Sequence, residues 1–340
     1  MDTVLLTGAS GFIAKHVALQ LLNAGYSVRG TLRRLDRSDE VRTALAPHLT
    51  AGAGKLDFVQ ADLESDAGWD TAVQGVAAVV HTASPFPIAQ PANPSILIRP
   101  AVEGTRRVLN AAANAGVTRI ILTSSTVAVF DEKAHDRLQD EADWCDVELA
   151  SISAYAKSKT LAERAAWEIA TARGLQLTTI NPGLVLGPPL DGHYGSSLGL
   201  VERILKGKDP AMPDLGFAAV DVRDVAEMHL RALQRPETAG KRYLATAGSL
   251  SMPEMGRIMK AVYPTRKIPT LTAPYVLLKV LSLFDKQIRA ILPSIGKHSR
   301  MSNARAVKDM GMAFIAPKAA LVASADWLVS HGKIWRKPQG

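Results

Sequence analysis

Short apolar runs alternate with longer amphipathic segments along the first 181 residues of the chain. Each run has the length of one buried strand, and the segments between the runs place apolar residues at helical spacing. This alternation is typical of βαβ units, in which parallel strands share one sheet covered by helices. Strands are predicted over residues 4–6, 26–32, 56–61, 76–81, 119–123 and 175–181, and helices over residues 38–49, 96–114, 154–173 and from residue 13 onward.

The pattern changes after residue 181, where prolines interrupt short segments at positions 182, 188, 189, 210 and 213. These prolines predict that the sheet does not continue and that a smaller part of the protein, which covers the substrate, begins here. Residues 220–233 regain helical spacing and are predicted to pack back on the core, and residues 319–329 are predicted to form a closing helix. No linker-like composition separates the two parts, so we expect them to be intimately packed.

A basic segment, residues 257–308, contains 11 Lys and Arg residues and one acid, Asp285. Within it, residues 274–292 are predicted to form one amphipathic helix. Three hypotheses remain open for this helix: a solvated charged face, a cover over the substrate pocket that favours acidic substrates, or an interfacial helix on anionic lipid. The predicted apolar face consists of Val276, Leu277, Val280, Leu281, Phe284, Ile288 and Ile291, and the polar side of Lys279, Ser282, Lys286 and Arg289.

Composition places the chain among ordinary globular proteins, with 340 residues, 47% hydrophobic and 21% charged. The net charge of +8 is uneven, because residues 1–150 carry −5 and residues 151–340 carry +13. Such asymmetry can indicate contact with nucleic acid or membrane. With 5% aromatic residues and no recognisable nucleic-acid module, nucleic-acid binding is not expected.

Neither the single cysteine nor the apolar stretches indicate secretion or membrane insertion. Cys145 has no partner for an internal disulfide, and no Cys/His cluster has the spacing of a metal site, so no metal is expected. The longest apolar stretch, residues 275–283, is broken by Lys279 and is too short to span a bilayer. No basic region precedes the first apolar run, so we expect no signal peptide. A cytoplasmic monomer or homodimer without membrane contact is predicted.

A glycine-rich turn follows the first predicted strand directly. Gly8 permits a tight turn, Gly11 lets the backbone approach a pyrophosphate, and Ala14 lets the following helix pack closely on the strand. The start of that helix offers free N–H groups and the positive end of its dipole to phosphates. The spacing is G-x-x-G-x-x-A, and the strand–turn–helix context predicts a dinucleotide site. An ordinary βα turn is the alternative.

Arginines at the end of the second predicted strand indicate the cofactor. Enzymes that prefer NAD usually place an acid there, which accepts from the ribose 2′-hydroxyl. This chain has Arg33 and Arg34, with Arg37 just beyond, and guanidinium groups bind a 2′-phosphate well. NADP(H) is therefore predicted, and a solvated charge run is the alternative.

These observations predict the fold class α/β, a Rossmann-type doubly wound parallel sheet with a smaller C-terminal substrate-binding part. Residues 1–181, with a returning segment at about 214–245, are assigned to the NADP-binding domain. The substrate-binding part is assigned to residues of about 182–213 and 246–340.

Tyr155 and Lys159 lie four residues apart at the start of a predicted helix, so they share one face. A neighbouring ammonium stabilises a phenolate and should lower the pKa of the tyrosine, which makes it a usable proton donor to a carbonyl oxygen. The fifth predicted strand ends in Ser124, Ser125 and Thr126, and one of these hydroxyls can hold that carbonyl. Ser125 is predicted to be this hydroxyl, and Ser124 and Thr126 remain alternatives. The interpretation without a function is that these residues only cap the end of the strand.

With these residues, the chain resembles an extended short-chain dehydrogenase/reductase. It is most similar to the branch of dihydroflavonol reductases, cinnamoyl-CoA reductases and microbial aldehyde reductases. The general resemblance rests on Thr7–Ala14, Asp62-Leu63, His81–Pro85 and Tyr155-x-x-x-Lys159, and the closer one on Arg99–Thr105, Tyr155–Trp167, Asn181–Pro188 and Val220–Ala226. The resemblance covers residues 3–245 well and the remainder loosely.

The resemblance implies an NADPH-dependent reductase that converts an aldehyde or ketone to the alcohol. Ser125, Tyr155 and Lys159 would be the catalytic hydroxyl, the acid and its lysine. The cofactor-binding residues would be Gly8, Gly11, Phe12 and Ile13 at the pyrophosphate, Arg33 with Arg37 at the 2′-phosphate, Asp62 and Leu63 at the adenine, Thr82, Ala83 and Ser84 at the riboses, Tyr155 and Lys159, and Pro182, Leu184 and Val185 at the nicotinamide.

Two alternative functions come from other classes. The first is an NAD-dependent epimerase or dehydratase acting on a nucleotide sugar, against which the strand-end arginines and Arg99-Pro100 argue. The second is a non-catalytic dinucleotide sensor, which would have no use for Ser125, Tyr155 and Lys159 together. Ser151–Tyr155 stands where plant cinnamoyl-CoA reductases carry an Asn-Trp-Tyr-Cys-Tyr type of segment, which argues against reduction of CoA thioesters. The substrate lining is expected from residues 84–99, 130–154 and 190–215.

Overall fold

The computed structural model describes residues 2–84, 93–134 and 136–334. Residues 85–92, which include Pro85 and part of the predicted substrate lining, lie outside this range, as do Met1, His135 and residues 335–340. The strands are β1 (Thr3–Thr7), β2 (Ser27–Leu32), β3 (Leu56–Gln60), β4 (Ala78–His81), β5 (Arg119–Thr123), β6 (Gln176–Pro182), β7 (Leu184–Leu186), β8 (Gly216–Asp221), β9 (Lys241–Ala245) and β10 (Gly248–Ser251).

The helices carry the apolar stripes that cover these strands. They are α1 (Phe12–Asn23), α2 (Ser38–Leu45), α3 (Trp69–Val73), α4 (Ser95–Asn114), α5 (Ala154–Arg173), α6 (Ser196–Leu205), α7 (Val222–Gln234), α8 (Met252–Val262), α9 (Tyr275–Leu281), α10 (Lys286–Ile291), α11 (Ala304–Met310) and α12 (Pro317–Ser330). The predicted helix over 220–233 begins two residues late, because Val220 and Asp221 still belong to β8 and the Asp221 carboxylate caps α7 through the amide of Arg223 at 2.9 Å.

Seven parallel strands form one sheet in the order β3-β2-β1-β4-β5-β6-β9. Val4 of β1 pairs with Val28 on one side and Ala78 on the other, so the chain order reverses at β1 and β4. Helices α1 and α7 pack on one face around Val17 and Leu21, while α4 and α5 pack on the other. This is the predicted doubly wound sheet, and its switch point lies at the carboxyl ends of β1 and β4.

A second sheet of three strands, β10-β8-β7, was not predicted from the sequence. The chain passes from β6 into β7 through Gly183, where a Cβ would lie 2.2 Å from the carbonyl oxygen of Ala218. Helices α6, α8 and α12 cover this sheet and share a separate core with it. The short β7 therefore leads the chain directly from the large sheet into the smaller part.

Residues 275–291, the α9–α10 segment, differ from the predicted single helix, and that prediction was wrong. The Asp285 carboxylate accepts from the amide of Ile288 at 3.2 Å, so it interrupts the helix and starts a second one. The predicted apolar face is also outward, because Val276 is 72% and Phe284 85% exposed, whereas Ser282 is buried. None of the helices in the described part of the chain combines the length and the apolar character of a membrane-spanning segment.

Candidate active site

The glycine turn between β1 and α1 makes a cradle at the switch point. Gly8 has a φ of +68°, and a Cβ on it would lie 3.0 Å from the Cβ of Ala83. Gly11 is the N-cap of α1, and no side chain caps the helix there. Phe12 and Ile13 form the first turn of α1, so their backbone N–H groups point out of the helix end. The cradle therefore presents free backbone N–H groups beside a turn whose glycines leave no side chain in the way, the chemistry that a pyrophosphate site requires.

The ends of β1 and β4 are held together beside this cradle by the hydroxyl of Thr7. It contacts His81 Nδ1 at 2.7 Å and accepts from the amides of Thr82 at 3.1 Å and Ala83 at 3.0 Å. The Thr82 hydroxyl donates back to the Thr7 carbonyl. Thr82, Ala83 and the half-buried Ser84 therefore lie next to Gly8, where the resemblance places the cofactor riboses.

The three arginines after β2 have different surroundings. Arg33 is exposed, and among the described residues its guanidinium has no polar partner. Arg34 pairs with Asp36 on the surface. Arg37 is half-buried between Glu40, at 2.8 Å, and the Ser10 hydroxyl of the glycine turn, at 3.4 Å. Arg33 and Arg37 therefore both follow the end of β2, Arg33 exposed on the surface and Arg37 in contact with the glycine turn.

Asp62 and Leu63 follow β3 at the same edge of the sheet. The Asp62 carboxylate accepts from the amide of Glu64 at 3.1 Å, and its carbonyl accepts from the Trp69 indole at 3.0 Å. Leu63 packs so closely on α4 that a Cβ at Gly104 would lie 2.8 Å from it. The loop proposed for the adenine is thus fixed from both sides.

Ser125 and Tyr155 meet at the carboxyl ends of β5 and β6. The two side chains are hydrogen-bonded, and the Ser125 hydroxyl also lies 3.4 Å from the carbonyl oxygen of Pro182. Ser153 caps α5 by accepting from the amide of Ala156 at 3.1 Å, which starts the helix one residue before Tyr155. Lys159 follows one turn later and is buried. The three predicted catalytic residues are therefore brought together.

The hydroxyls on either side of Ser125 are placed elsewhere. Ser124 donates to the buried carboxylate of Glu163 at 2.5 Å, and Thr126 begins a short 3₁₀ turn. Pro182 ends β6 beside Ser125, while Leu184 and Val185 continue from it as the first residues of β7. Of the three candidate hydroxyls, Ser125 is the one in contact with Tyr155.

Burial governs the ionisation of this centre. It lowers the pKa of Lys159 to about 8, and Glu163 opposes that change. It raises the pKa of Tyr155, while the hydrogen bond with Ser125 acts in the opposite direction. The sequence predicted a lowered tyrosine pKa, but loss of solvation outweighs the stabilisation of the phenolate. Burial first, and the charge of Lys159 second, lower the pKa of His81 to about 3. At neutral pH, Tyr155 therefore keeps its proton.

Two clusters near the site were not predicted. Lys15 of α1 is buried and pairs with Asp191, which ties the glycine-turn helix to the smaller part of the protein. The ligand atoms of Glu40, Asp191 and His193 lie within 4.8 Å of one another. Because Lys15 and Arg37 already neutralise the two acids, we interpret this group as an ion-pair cluster.

The irregular stretch before α5 packs against the back of the same centre. Arg242 of β9 lies over the Trp144 ring at 3.8 Å and pairs with Glu163 at 2.7 Å. Cys145 is buried, its amide donates to the carbonyl of Ala128 at 3.0 Å, and burial raises the pKa of its thiol. Glu163 and Arg242 carry no local sequence signal for this pairing, because they lie 79 residues apart.

Comparison with known proteins agrees with this geometry. The family model for the NAD dependent epimerase/dehydratase family matches residues 4–245. Cinnamoyl-CoA reductase 1 of Arabidopsis thaliana is 34% identical over 336 residues, 98% of this chain and 90% of that protein. Tetraketide alpha-pyrone reductase 1 of Arabidopsis thaliana is 36% identical over 275 residues, 78% and 82% of the two chains. The crystal structure of yeast methylglyoxal/isovaleraldehyde reductase Gre2 complexed with NADPH has a TM-score of 0.80, with 27% identity and coverage of 98% and 100%.

The parallel sheet, the glycine cradle at its switch point and the Ser125–Tyr155–Lys159 group define an extended short-chain dehydrogenase/reductase. The chain belongs to the NAD dependent epimerase/dehydratase family. The predicted fold class, family and enzyme class are confirmed, and the protein is an NAD(P)-dependent oxidoreductase.

Proposed function

We propose that the protein reduces a small aldehyde or ketone to the alcohol with NADPH. The observation that carries this function is the contact between Ser125 and Tyr155 next to buried Lys159. Relatives named as reductases, and a similar structure described as complexed with NADPH, support the proposal. NADPH supplies the hydride when it is bound, and this chain supplies the proton and the binding groups.

Each residue has one role in this mechanism. Ser125 donates a hydrogen bond that holds the substrate carbonyl oxygen beside Tyr155. Tyr155 gives its phenolic proton to that oxygen as the oxygen gains charge, and its raised pKa keeps the proton available at neutral pH. Lys159, one helical turn after Tyr155, supplies an ammonium that stabilises the phenolate left after transfer.

Successive groups of residues along the carboxyl edge of the sheet are assigned to successive parts of the cofactor. We propose that Gly8, Gly11, Phe12 and Ile13 bind the pyrophosphate through the cradle and the helix start. Arg33 and Arg37 bind the 2′-phosphate, and the remaining contacts follow the edge from β3 to β7. These contacts are Asp62 and Leu63 at the adenine, Thr82, Ala83, Ser84 and Lys159 at the riboses, and Pro182, Leu184 and Val185 at the nicotinamide.

A free carbonyl compound is proposed rather than a CoA thioester, because Ser151–Tyr155 lacks the aromatic segment of plant cinnamoyl-CoA reductases. Nucleotide-sugar epimerisation is not favoured, since the end of β2 presents arginines in place of an acid. A purified sample is tested with NADPH and a panel of aldehydes, ketones and acyl-CoA thioesters, and absorbance at the nicotinamide band is followed. Loss of absorbance with aldehydes or ketones supports the function, whereas no loss with any of them contradicts it.

The compartment, the oligomeric state and the division of the chain into cofactor-binding and substrate-binding parts are also proposals. We propose a cytoplasmic enzyme that works as a monomer or homodimer, supported by its ordinary globular composition and by its single, buried cysteine. We also propose that residues 1–181 with about 214–245 bind the cofactor, and that the other residues bind the substrate. Light scattering after size-exclusion chromatography tests the oligomeric state.

A further inference from the structure

The side chain of Glu163 is fully buried, one helical turn beyond Lys159 on α5. A buried carboxylate is costly unless charged and polar partners surround it. Here hydrogen-bond donors come from five side chains, on β6, on β9, on α5 itself and directly after β5, a set that fits the charged, acceptor-only form. The donors are Ser124 at 2.5 Å, Trp167 at 3.4 Å, Thr179 at 3.2 Å, Asn181 at 2.7 Å and Arg242 at 2.7 Å.

This carboxylate ties together the two strand ends that carry the site. It accepts from Ser124 at the end of β5 and from Asn181 near the end of β6. The same Asn181 amide group lies 3.2 Å from the carbonyl oxygen of Ser125. Ser125 in turn is 3.4 Å from the Pro182 carbonyl oxygen. The position of the Ser125 hydroxyl therefore depends on a chain of contacts that starts at Glu163.

The charge of Glu163 also faces Lys159. The other ionisable groups around this lysine are Tyr155 on the same helix and His81 at the end of β4, which burial keeps neutral because it lowers the pKa to about 3. Arg242 stands behind Glu163, and it also donates to backbone carbonyls of residues 141 and 143 and stacks on Trp144. Glu163 is the charged group that raises the pKa of Lys159 against burial.

We propose that Glu163 is a positioning residue for the reduction: it fixes Ser125 through Ser124 and Asn181, and its negative charge favours the ammonium of Lys159. This rests on the proposed function, in which Ser125 and Lys159 serve Tyr155. Nothing in the mechanism requires Glu163 to touch the substrate.

Glu163→Gln tests the charge at nearly constant shape. In the unaltered protein, kcat/KM for reduction should fall as pH rises through the pKa of Lys159, about 8. Removal of the negative charge lowers that pKa, so the fall should move to lower pH by about one unit. Glu168→Gln, which removes an exposed carboxylate from the same helix, is the matched control and should leave the profile unchanged.

A double variant separates this role from simple pairing with Arg242. Glu163→Gln with Arg242→Met removes both charges of the pair, so Arg242 is not left as a buried cation without its carboxylate and the fold is protected. The proposal expects the displaced pH profile to persist in the double variant. Return of the profile to that of the unaltered protein would show that Glu163 serves only to neutralise Arg242, and the proposal would be wrong.

A measurement without turnover distinguishes failure of this proposal from failure of the proposed function. The ammonium of Lys159 is titrated by NMR of ¹³C-labelled lysine, with its signal assigned from its absence in Lys159→Met. A lower midpoint in Glu163→Gln and in the double variant supports the proposal, even in a protein that reduces no carbonyl compound tested. An unchanged midpoint in both variants overturns it, whatever the activity.

Discussion

Two regions of this protein reverse the usual placement of polar and apolar side chains. At the ends of β5 and β6, charged and polar groups such as Glu163, Lys159 and Arg242 are buried. In the α9–α10 segment, Val276 and Phe284 are exposed to solvent. In the first region, charged groups are buried although their removal from water costs free energy. In the second region, apolar side chains stay exposed although their burial would lower the free energy.

The difference lies in the partners. At the strand ends, the Glu163 carboxylate pairs with Arg242 and accepts from Ser124 and Asn181, and its charge also acts on Lys159 one helical turn away. The α9–α10 segment has buried Leu278 and packs Ile291 on the core of the smaller part, while the Arg289 guanidinium donates to the carbonyl oxygens of residues 282 and 283 within the segment itself. We therefore predict that substitutions at the strand ends change activity and stability, whereas substitutions on the exposed face of α9–α10 leave the stability of the protein nearly unchanged.

The largest expected effect is on activity. Tyr155→Phe keeps the ring but removes the proton that the carbonyl oxygen receives, and losing positioned general acid catalysis costs on the order of a hundred- to ten-thousand-fold in kcat. Steady-state kinetics measure this loss, and NADPH binding followed by fluorescence should be unchanged. Tyr275→Phe, on exposed α9, is the control. A Tyr155→Phe enzyme that keeps more than about a tenth of the turnover would exclude Tyr155 as the acid.

Arg242→Met should reduce stability by about 3–5 kcal/mol, because it leaves the buried Glu163 carboxylate without its cation. Urea unfolding followed by circular dichroism measures the change. Lys279→Met removes an exposed cation from α9 and should change the free energy of unfolding by less than about 0.5 kcal/mol. Equal effects of the two variants would mean that the Glu163–Arg242 pair contributes as little to the free energy of unfolding as an exposed charge does.

Within the α9–α10 segment, Leu278 and Phe284 should behave differently. Leu278 is 6% exposed, so Leu278→Ala should lower the free energy of opening of this segment by about 2 kcal/mol. Phe284 is 85% exposed, and Phe284→Ser should change it by less than about 0.5 kcal/mol. Amide hydrogen exchange measures both. A large effect of Phe284→Ser would reveal that its ring is covered in solution, for example by a second copy of the chain.

Arg33 is the exposed arginine that we propose binds the 2′-phosphate of NADPH. Arg33→Ala should raise the KM for NADPH about ten- to a hundredfold, because a charge-assisted contact of roughly 1.5–3 kcal/mol is lost, and it should barely affect NADH. Arg34→Ala is the control, since Arg34 is engaged with Asp36. Equal losses with NADPH and NADH would indicate a role for Arg33 in the fold. An NADPH-specific loss in Arg37→Ala alone would move the 2′-phosphate to Arg37.

Much of the large sheet was predictable because its central strands β1, β4 and β5 are buried and carry short apolar runs. Residues 119–123 and 154–173 match β5 and α5 in both bounds. Tyr155 and Lys159 could be placed together because helical spacing is local. The location of the arginines after β2 could also be predicted, because the carboxyl ends of parallel strands lie at the same edge of the sheet.

The missed features depend on contacts that the local sequence does not encode. Strands β7 and β10 are three and four residues long, too short for a periodic pattern. Glu163 is one acid on an ordinary helix until β9 brings Arg242 beside it. The break between α9 and α10 was visible in principle at Asp285, but the regular apolar spacing around it indicated one continuous helix.

Cys145 lies next to Trp144 in the irregular stretch before α5, and its thiol can report when this stretch opens. It is the single thiol of the chain and is 1% exposed. Because burial also raises its pKa, a thiol reagent can react with it only when this segment lifts away. The rate of alkylation of the unmodified protein therefore measures how often the segment around Cys145 opens away from α5, the helix that carries Lys159. No label has to be introduced, and no competing signal arises from elsewhere in the chain.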